Sequence, residues 1–272
     1  MKNTKYISIL AIFLLFLSSC EKVIEIDLSD AAEAIVIEAT MTSDKLPFIV
    51  LISKTSPYFG SQSGNPISGA IVSVRAEGGK PKYFSEKEPG IYILDKNVAI
   101  TGYWYVVDVE YEGITYSARS YLNEVVPIVD LGFSYFDGLG FFDNGYNVSC
   151  YIREPADQEN YYRLKYYVNG VESNTNGEIS LYTDKLINGK EIGLGQRTLA
   201  FEESDTLTVE LQSIDQAAYD YFSTLENITR SDWQQNAAPA NPVSNFNNGA
   251  LGYFSAYSYS RKTVFIKNYI KK

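Results

Sequence analysis

The chain has no histidine, two cysteines and two tryptophans among its 272 residues. Without an imidazole there is no base for a Ser-His-Asp or Cys-His nucleophile, and no histidine ligand for the usual catalytic zinc and haem centres. Those reaction classes are excluded. Positive charge is also scarce: 23 Lys and Arg stand against 33 Asp and Glu, giving a formal net charge of −10 and an isoelectric point near 4.7. A surface of that sign repels a phosphate backbone, so no nucleic acid is expected as a partner. Apart from the first twenty residues there is no long apolar run. Aromatic residues are what the chain has in quantity, with 23 Tyr and 14 Phe and a hydrophobic content of 45%. That is enough to build a core in one large or two ordinary domains.

The apolar run Ile7 to Leu17, broken only by Ser8, follows Lys2 and Lys5. A basic flank and a short apolar segment make a signal peptide, since a membrane-spanning helix needs roughly 20 residues. The run ends in Leu17-Ser18-Ser19-Cys20, which resembles the bacterial lipobox. The resemblance implies that residues 1–19 are cleaved as a lipoprotein signal peptide and that Cys20 carries the lipid. Loss of residues 1–19 removes Lys2 and Lys5, so the formal charge moves from −10 to −12. The three acyl chains usual for lipoproteins exceed the two signals that stable anchoring takes. The expected location is the outer membrane, with the protein held there by acylated Cys20. Glu21-Lys22-Val23-Ile24-Glu25 partly resembles the acidic, Lys-bearing tract that directs lipoproteins of the Bacteroidota to the outer face, which implies the cell surface. Once Cys20 is acylated, Cys150 has no disulfide partner, and within Tyr146 to Ile152 it reads as a buried strand residue.

The body of the chain alternates apolar and polar residues in short segments separated by Gly, Pro, Asn and Asp, the pattern of β-sandwiches. Tyr103 to Glu110 and Ile114 to Arg119 form a hairpin around Glu112-Gly113, and Leu207 to Gln212 reads as a half-exposed strand with its polar side chains on one side. The helical period occurs in one stretch: Asp215 caps it, and Ala218, Tyr221, Phe222, Leu225 and Ile228 share a face. A long polar loop, Thr229 to Asn248, follows. Pro127 interrupts the strand pattern, so the expected division is an N-terminal β-sandwich over 20–125 and a C-terminal one over 126–272 with a helix near 215–228. The fold class is all-β. A transmembrane barrel is disfavoured by the anchor, by the helix and by the Lys271-Lys272 terminus.

Two resemblances enter at this point. Pro66 to Val74 with its Gly69-Ala70 pair, followed by Gly90-Ile91-Tyr92, is similar to the carboxypeptidase-regulatory or transthyretin-like sandwich. In that module the two strands pair in the core, which implies a small seven-stranded binding domain. Over nearly the whole mature chain, Cys20 to Ile24, Gly69-Ala70, Gly90 to Tyr92, Glu159 to Arg163 and Ser244 to Phe254 resemble a family of Bacteroidota envelope lipoproteins catalogued as domain of unknown function 4249. Members often accompany TonB-dependent outer-membrane transporters, which implies such a transporter as partner.

The segment Asn245 to Tyr259 is the first candidate site. Gly249 and Gly252 admit a close backbone, and Tyr253, Tyr257 and Tyr259 put phenols on one strand face, suited to sugars or peptides. The other reading of that face is a packed core. Asp137 to Gly145 offers carboxylates on glycine turns without the spacing of a calcium loop, so no metal site is expected. Its Phe141-Phe142 pair is a candidate partner contact. Asp205-Thr206-Leu207 resembles a three-residue O-glycosylation motif with Thr206 as acceptor. No cofactor and no enzymatic activity are expected. The leading function is an accessory lipoprotein that helps a TonB-dependent transporter capture or gate its ligand. A free-standing glycan-binding module or adhesin comes next, and a carboxylate-based hydrolase last.

Overall fold

The structure, a computed structural model, describes residues 33–270 apart from 45–46, 56–63, 97–98, 138–143, 157, 174–178, 186–188, 196–199 and 231–240. Residues 1–19, the expected signal peptide, with Cys20, Phe141 and Phe142 lie outside the described residues. The described residues belong to one compact unit, Glu33–Ser56 with Ser61–Lys272.

The first half of that unit runs through β1 (Ile35–Thr42), β2 (Phe48–Lys54), β3 (Ile71–Ala76), β4 (Lys82–Tyr83), β5 (Ser85–Glu88), β6 (Ile91–Leu94), β7 (Tyr103–Tyr111) and β8 (Ile114–Leu122). The second half runs through β9 (Ile128–Phe136), β10 (Gly145–Arg153), β11 (Tyr161–Val168), β12 (Val171–Glu172), β13 (Ser180–Thr183), β14 (Glu191–Leu194) and β15 (Thr206–Ile214). Helix α1 (Gln216–Arg230), the long strand β16 (Leu251–Phe265) and a four-residue helix, α2 (Ile266–Tyr269), complete it. The chain is therefore all-β, built as sandwiches, and the short α2 adds to the one helix the sequence led us to expect. No helix among the described residues is long and apolar enough to cross a membrane.

Three sheets make two cores. One long sheet has the order β12-β11-β15-β16-β1-β2-β6-β5 with β13 beside β11, and it is faced by β4-β3-β7-β8 and by β14-β10-β9. In the first core, Ile37, Val50 and Ile52 of the long sheet meet Val72, Val74, Val107 and Val109, every second residue of β3 and β7. In the second, Leu207, Val209 and Leu211 meet Leu131, Val148, Cys150 and Ile152. Period-two alternation of apolar side chains produces this, because each strand turns alternate residues to the same face. Cys150 is fully buried, and burial pushes its thiol up to about 12.

The two cores share one strand. Residues Leu251 to Tyr257 of β16 pair in parallel with Val36 to Thr42 of β1, and Ser258 to Phe265 pair antiparallel with β15. Phe246, Ala250, Phe254 and Ala256 accordingly belong to the first core, and Val264 to the second. The division at 125/126 is crossed by this strand.

The β7–β8 hairpin turns at Glu112 and Gly113, with φ of 51° and 78°, the left-handed pair a two-residue turn requires. Two sequence readings are corrected. Strand β15 is not half-exposed: Glu210 and Gln212 on its polar side are 2% and 3% exposed. Alternation fixes which face a residue takes, while the elements laid over that face decide whether it meets water. The Gly69-Ala70 and Gly90-Ile91-Tyr92 segments do not pair as neighbouring strands. Strand β3 lies in one sheet and β6 in the opposite one, and Tyr92 joins them across the core by donating to the Ile67 carbonyl at 2.9 Å and accepting from the Ala70 amide at 3.0 Å.

Candidate ligand-binding cleft

Helix α1 covers the outer face of the long sheet. Ala218, Tyr221 and Phe222, spaced as a helical stripe, pack with Tyr161 and Ile214 from beneath. Tyr253 belongs to this seam: its ring centroid is 4.7 Å from that of Tyr221 and 4.9 Å from that of Phe222. Tyr257 packs against the same cluster, half-buried, and Tyr259 lies 6.4 Å further along, ring to ring. Burial raises all three phenols above their ordinary range. The phenol stripe therefore begins as core under α1 and emerges toward Tyr259.

At the emerging end, Glu210 accepts from Gln212 Nε2 at 2.6 Å and pairs with the Arg261 guanidinium, which lies over the rings of Tyr259 and Tyr167 at 4.9 and 5.5 Å. This cluster is internally satisfied.

The asparagine-rich block ahead of β16 is structural in what it contacts. Below Ser258, where β15 does not pair with β16, the Asn245 amide serves as a one-residue strand, accepting from Phe254 N at 2.9 Å and donating to Phe254 O at 2.8 Å. Asn247 accepts from Ser117 N at 2.7 Å, and Asn248 donates to Thr115 O at 2.8 Å, both on β8. Phe246 inserts into the first core between these contacts. The polar loop thus closes the side of the first sandwich by supplying amides where backbone is lacking. Gly252 has φ +94°, and a Cβ there would lie 2.1 Å from the Ile37 carbonyl oxygen, so the close backbone it admits is β1 of the same chain. Gly249 has φ +77° and open space around it. Thr206 is exposed at the start of β15, and its N–H donates to Asn169 Oδ1 at 3.0 Å.

Where α1 begins, a cleft of about 450 Å³ opens, lined by Trp104, Arg119, Asp215, Gln216, Ala217, Asp220 and Asn245. Its floor is the outer face of the β7–β8 hairpin, where Val106 pairs with Arg119 and Trp104 with Tyr121. The Arg119 guanidinium lies over the Trp104 ring, 4.6 Å from its centroid, and Tyr121 flanks the indole at 5.3 Å. The wall is the N-terminal end of α1, Gln216 to Asp220. Asp215 caps it by accepting from Ala218 N at 3.0 Å, and its other oxygen accepts from Tyr121 N at 3.0 Å, which fixes the helix to β8. Burial raises the Asp215 carboxyl above its ordinary value.

Asp215 and Asn245 are thus committed to the fold. The Trp104 indole N–H, the Arg119 guanidinium, the Gln216 amide and the Asp220 carboxylate have no hydrogen-bond or ion-pair partner among the described residues. Of the sequence candidates only Asn245 reaches this cleft, and the structure does not bring it together with Tyr257 or Tyr259. The alternation of β7 already placed Trp104 on the side of Asp108 and Glu110, an aromatic residue on a polar face. No sequence signal placed α1 beside it.

Among curated proteins there is no match to the chain. A solved two-domain fibronectin type-III segment of chicken tenascin is similar at 16% identity over 66% of this chain and 90% of that one, with a TM-score of 0.21. The family model described as domain of unknown function (DUF4249) matches residues 21–263, nearly everything after Cys20, and the chain belongs to that family.

Proposed function

We propose that the protein is a lipid-anchored, non-catalytic accessory protein of the outer membrane, displayed at the cell surface, that captures a ligand for a TonB-dependent transporter. The observation that carries this reading is the Leu17-Ser18-Ser19-Cys20 motif at the end of a short apolar run. Fourteen residues separate Cys20 from Ile35 at the start of β1. Fully extended they span at most about 50 Å, which keeps the sandwiches within reach of a neighbouring barrel. The open cleft beside α1 supports capture, since small-ligand sites are concave and carry a few polar groups around an apolar surface.

The test is crosslinking of intact cells that express a C-terminally tagged chain, followed by purification under denaturing conditions and mass spectrometry. The proposal expects a TonB-dependent β-barrel among the crosslinked proteins. Recovery of the tagged chain alone, at a crosslinker dose that captures known envelope complexes, overturns the transporter assignment. A free-standing glycan-binding or adhesin lipoprotein is the second reading, favoured by the same cleft, and that result would select it.

A further inference from the structure

We infer that the cleft formed by Trp104, Arg119, Gln216 and Asp220 is a binding site for a neutral saccharide. This deepens the capture reading by naming the ligand class, and it does not depend on which transporter is served. The argument starts from which lining groups are free. The fold consumes Asp215 and Asn245 in backbone hydrogen bonds. The four other polar residues of the lining hold one ring N–H donor, one guanidinium with several donors, one amide that both donates and accepts, and one carboxylate that only accepts. A ligand that meets all four must donate and accept at closely spaced points, as the vicinal hydroxyls of a sugar do.

Other ligand classes fit less well. A ligand carboxylate or phosphate would meet Arg119 but also Asp220 and a chain of net charge −10, and a cation would meet Asp220 but also Arg119. An apolar ligand would bury four polar groups without partners. The site is preformed as well. The Arg119 guanidinium rests against the Trp104 ring before anything binds, and the Asp215 cap fixes the backbone at the start of α1 from which Gln216 and Asp220 project. A cleft of about 450 Å³ falls within the range of small-ligand sites.

The sequence supplies a reporter. Trp104 and Trp233 are its two tryptophans, so in a Trp233→Phe variant Trp104 is the sole indole. The mature lipoprotein carrying that substitution, held in a detergent without a sugar headgroup, would be titrated with neutral hexoses, N-acetylhexosamines and their disaccharides to millimolar concentration. The inference expects a saturable change in Trp104 emission with at least one of them. Arg119→Ala and Asp220→Ala, each in the Trp233→Phe background, should weaken it by about tenfold or more, the effect of losing a charged hydrogen-bonding group. Both side chains are exposed, so neither change should move the melting temperature appreciably.

No saturable response to any of these sugars overturns the inference. So does binding that both substitutions leave intact, which would place the sugar elsewhere. A response confined to uronic acids, or to a short neutral peptide used as a control, would reassign the cleft to an anion or to a peptide. Sugar binding without a crosslinked transporter leaves the site and removes the transporter. A crosslinked transporter without sugar binding does the reverse.

Discussion

Replacement of Gly252 by alanine addresses the strand that joins the two sandwiches. An added Cβ would sit 2.1 Å from the oxygen, 2.7 Å from the carbonyl carbon and 3.0 Å from the nitrogen of Ile37, all backbone atoms of β1. Backbone in a paired strand cannot rotate away as the end of a side chain can. Relief requires β1 and β16 to separate over part of the Val36 to Thr42 pairing, which also moves the fully buried Ile37 out of register with the first core. Alanine at φ +94° adds a backbone penalty of about 1–2 kcal/mol. Together the expected loss is roughly 3–5 kcal/mol, the size reserved for a named core or backbone lesion. For a chain of this size that is a fall in melting temperature of roughly 6–20 °C. Gly249→Ala is the control: at φ +77° with nothing within 4 Å of the added carbon, it should cost only the backbone part, about 1–2 kcal/mol. Urea unfolding followed by circular dichroism measures both. Equal losses for the two variants would refute the reasoning, because the close approach would then carry no energy.

Three further outcomes follow from the geometry. Tyr257→Ala should destabilise the fold by about 2–3 kcal/mol, below the range for fully buried aromatics because Tyr257 is half-buried, and it should leave the Trp104 cleft unaffected; an unchanged melting temperature would return the phenol stripe to the list of binding surfaces. Asp130, bonded to Lys262 and Tyr269, is held down to about 2, so its contribution is present above its unfolded value near 3.8 and is lost as pH falls toward 2. Asp130→Asn should flatten the melting temperature over that acid window, and an unaltered pH profile would contradict the pairing. Cys150, with its thiol pushed up to about 12, should react with a thiol reagent only after denaturation, and rapid labelling of the native protein would place it at the surface.

The elements that could be read from the sequence are those set by local pattern. The β7–β8 hairpin, the Asp215 cap and the stripe from Ala218 to Leu225 depend on turn residues and periodicity, and they occur where that chemistry puts them. What lies on top of an element is not local. Leu207 to Gln212 alternates in a way that is indistinguishable from an exposed strand, yet Arg261, fifty-one residues on, pairs with the Glu210 carboxylate. The Asn245 to Asn248 loop looked like a polar approach to a binding edge because amides are equally good at meeting ligands and at replacing missing backbone. Only the positions of Phe254, Ser117 and Thr115 separate the two. The cleft has the same origin: Trp104 and Arg119 come from one hairpin and Gln216 and Asp220 from a helix about a hundred residues later.

The claim on which the proposed function most depends is that Cys20 anchors the protein, and one measurement tests it directly. Cells producing the wild-type chain and the Cys20→Ala variant are separated into soluble and outer-membrane fractions, and the N-terminal peptide of each mature product is weighed by mass spectrometry. The account predicts a wild-type peptide that begins at Cys20 with the mass of its acyl chains and is recovered with the outer membrane, and a variant that lacks the lipid and leaves that fraction. A wild-type N-terminus without lipid, or one that does not begin at Cys20, would contradict it.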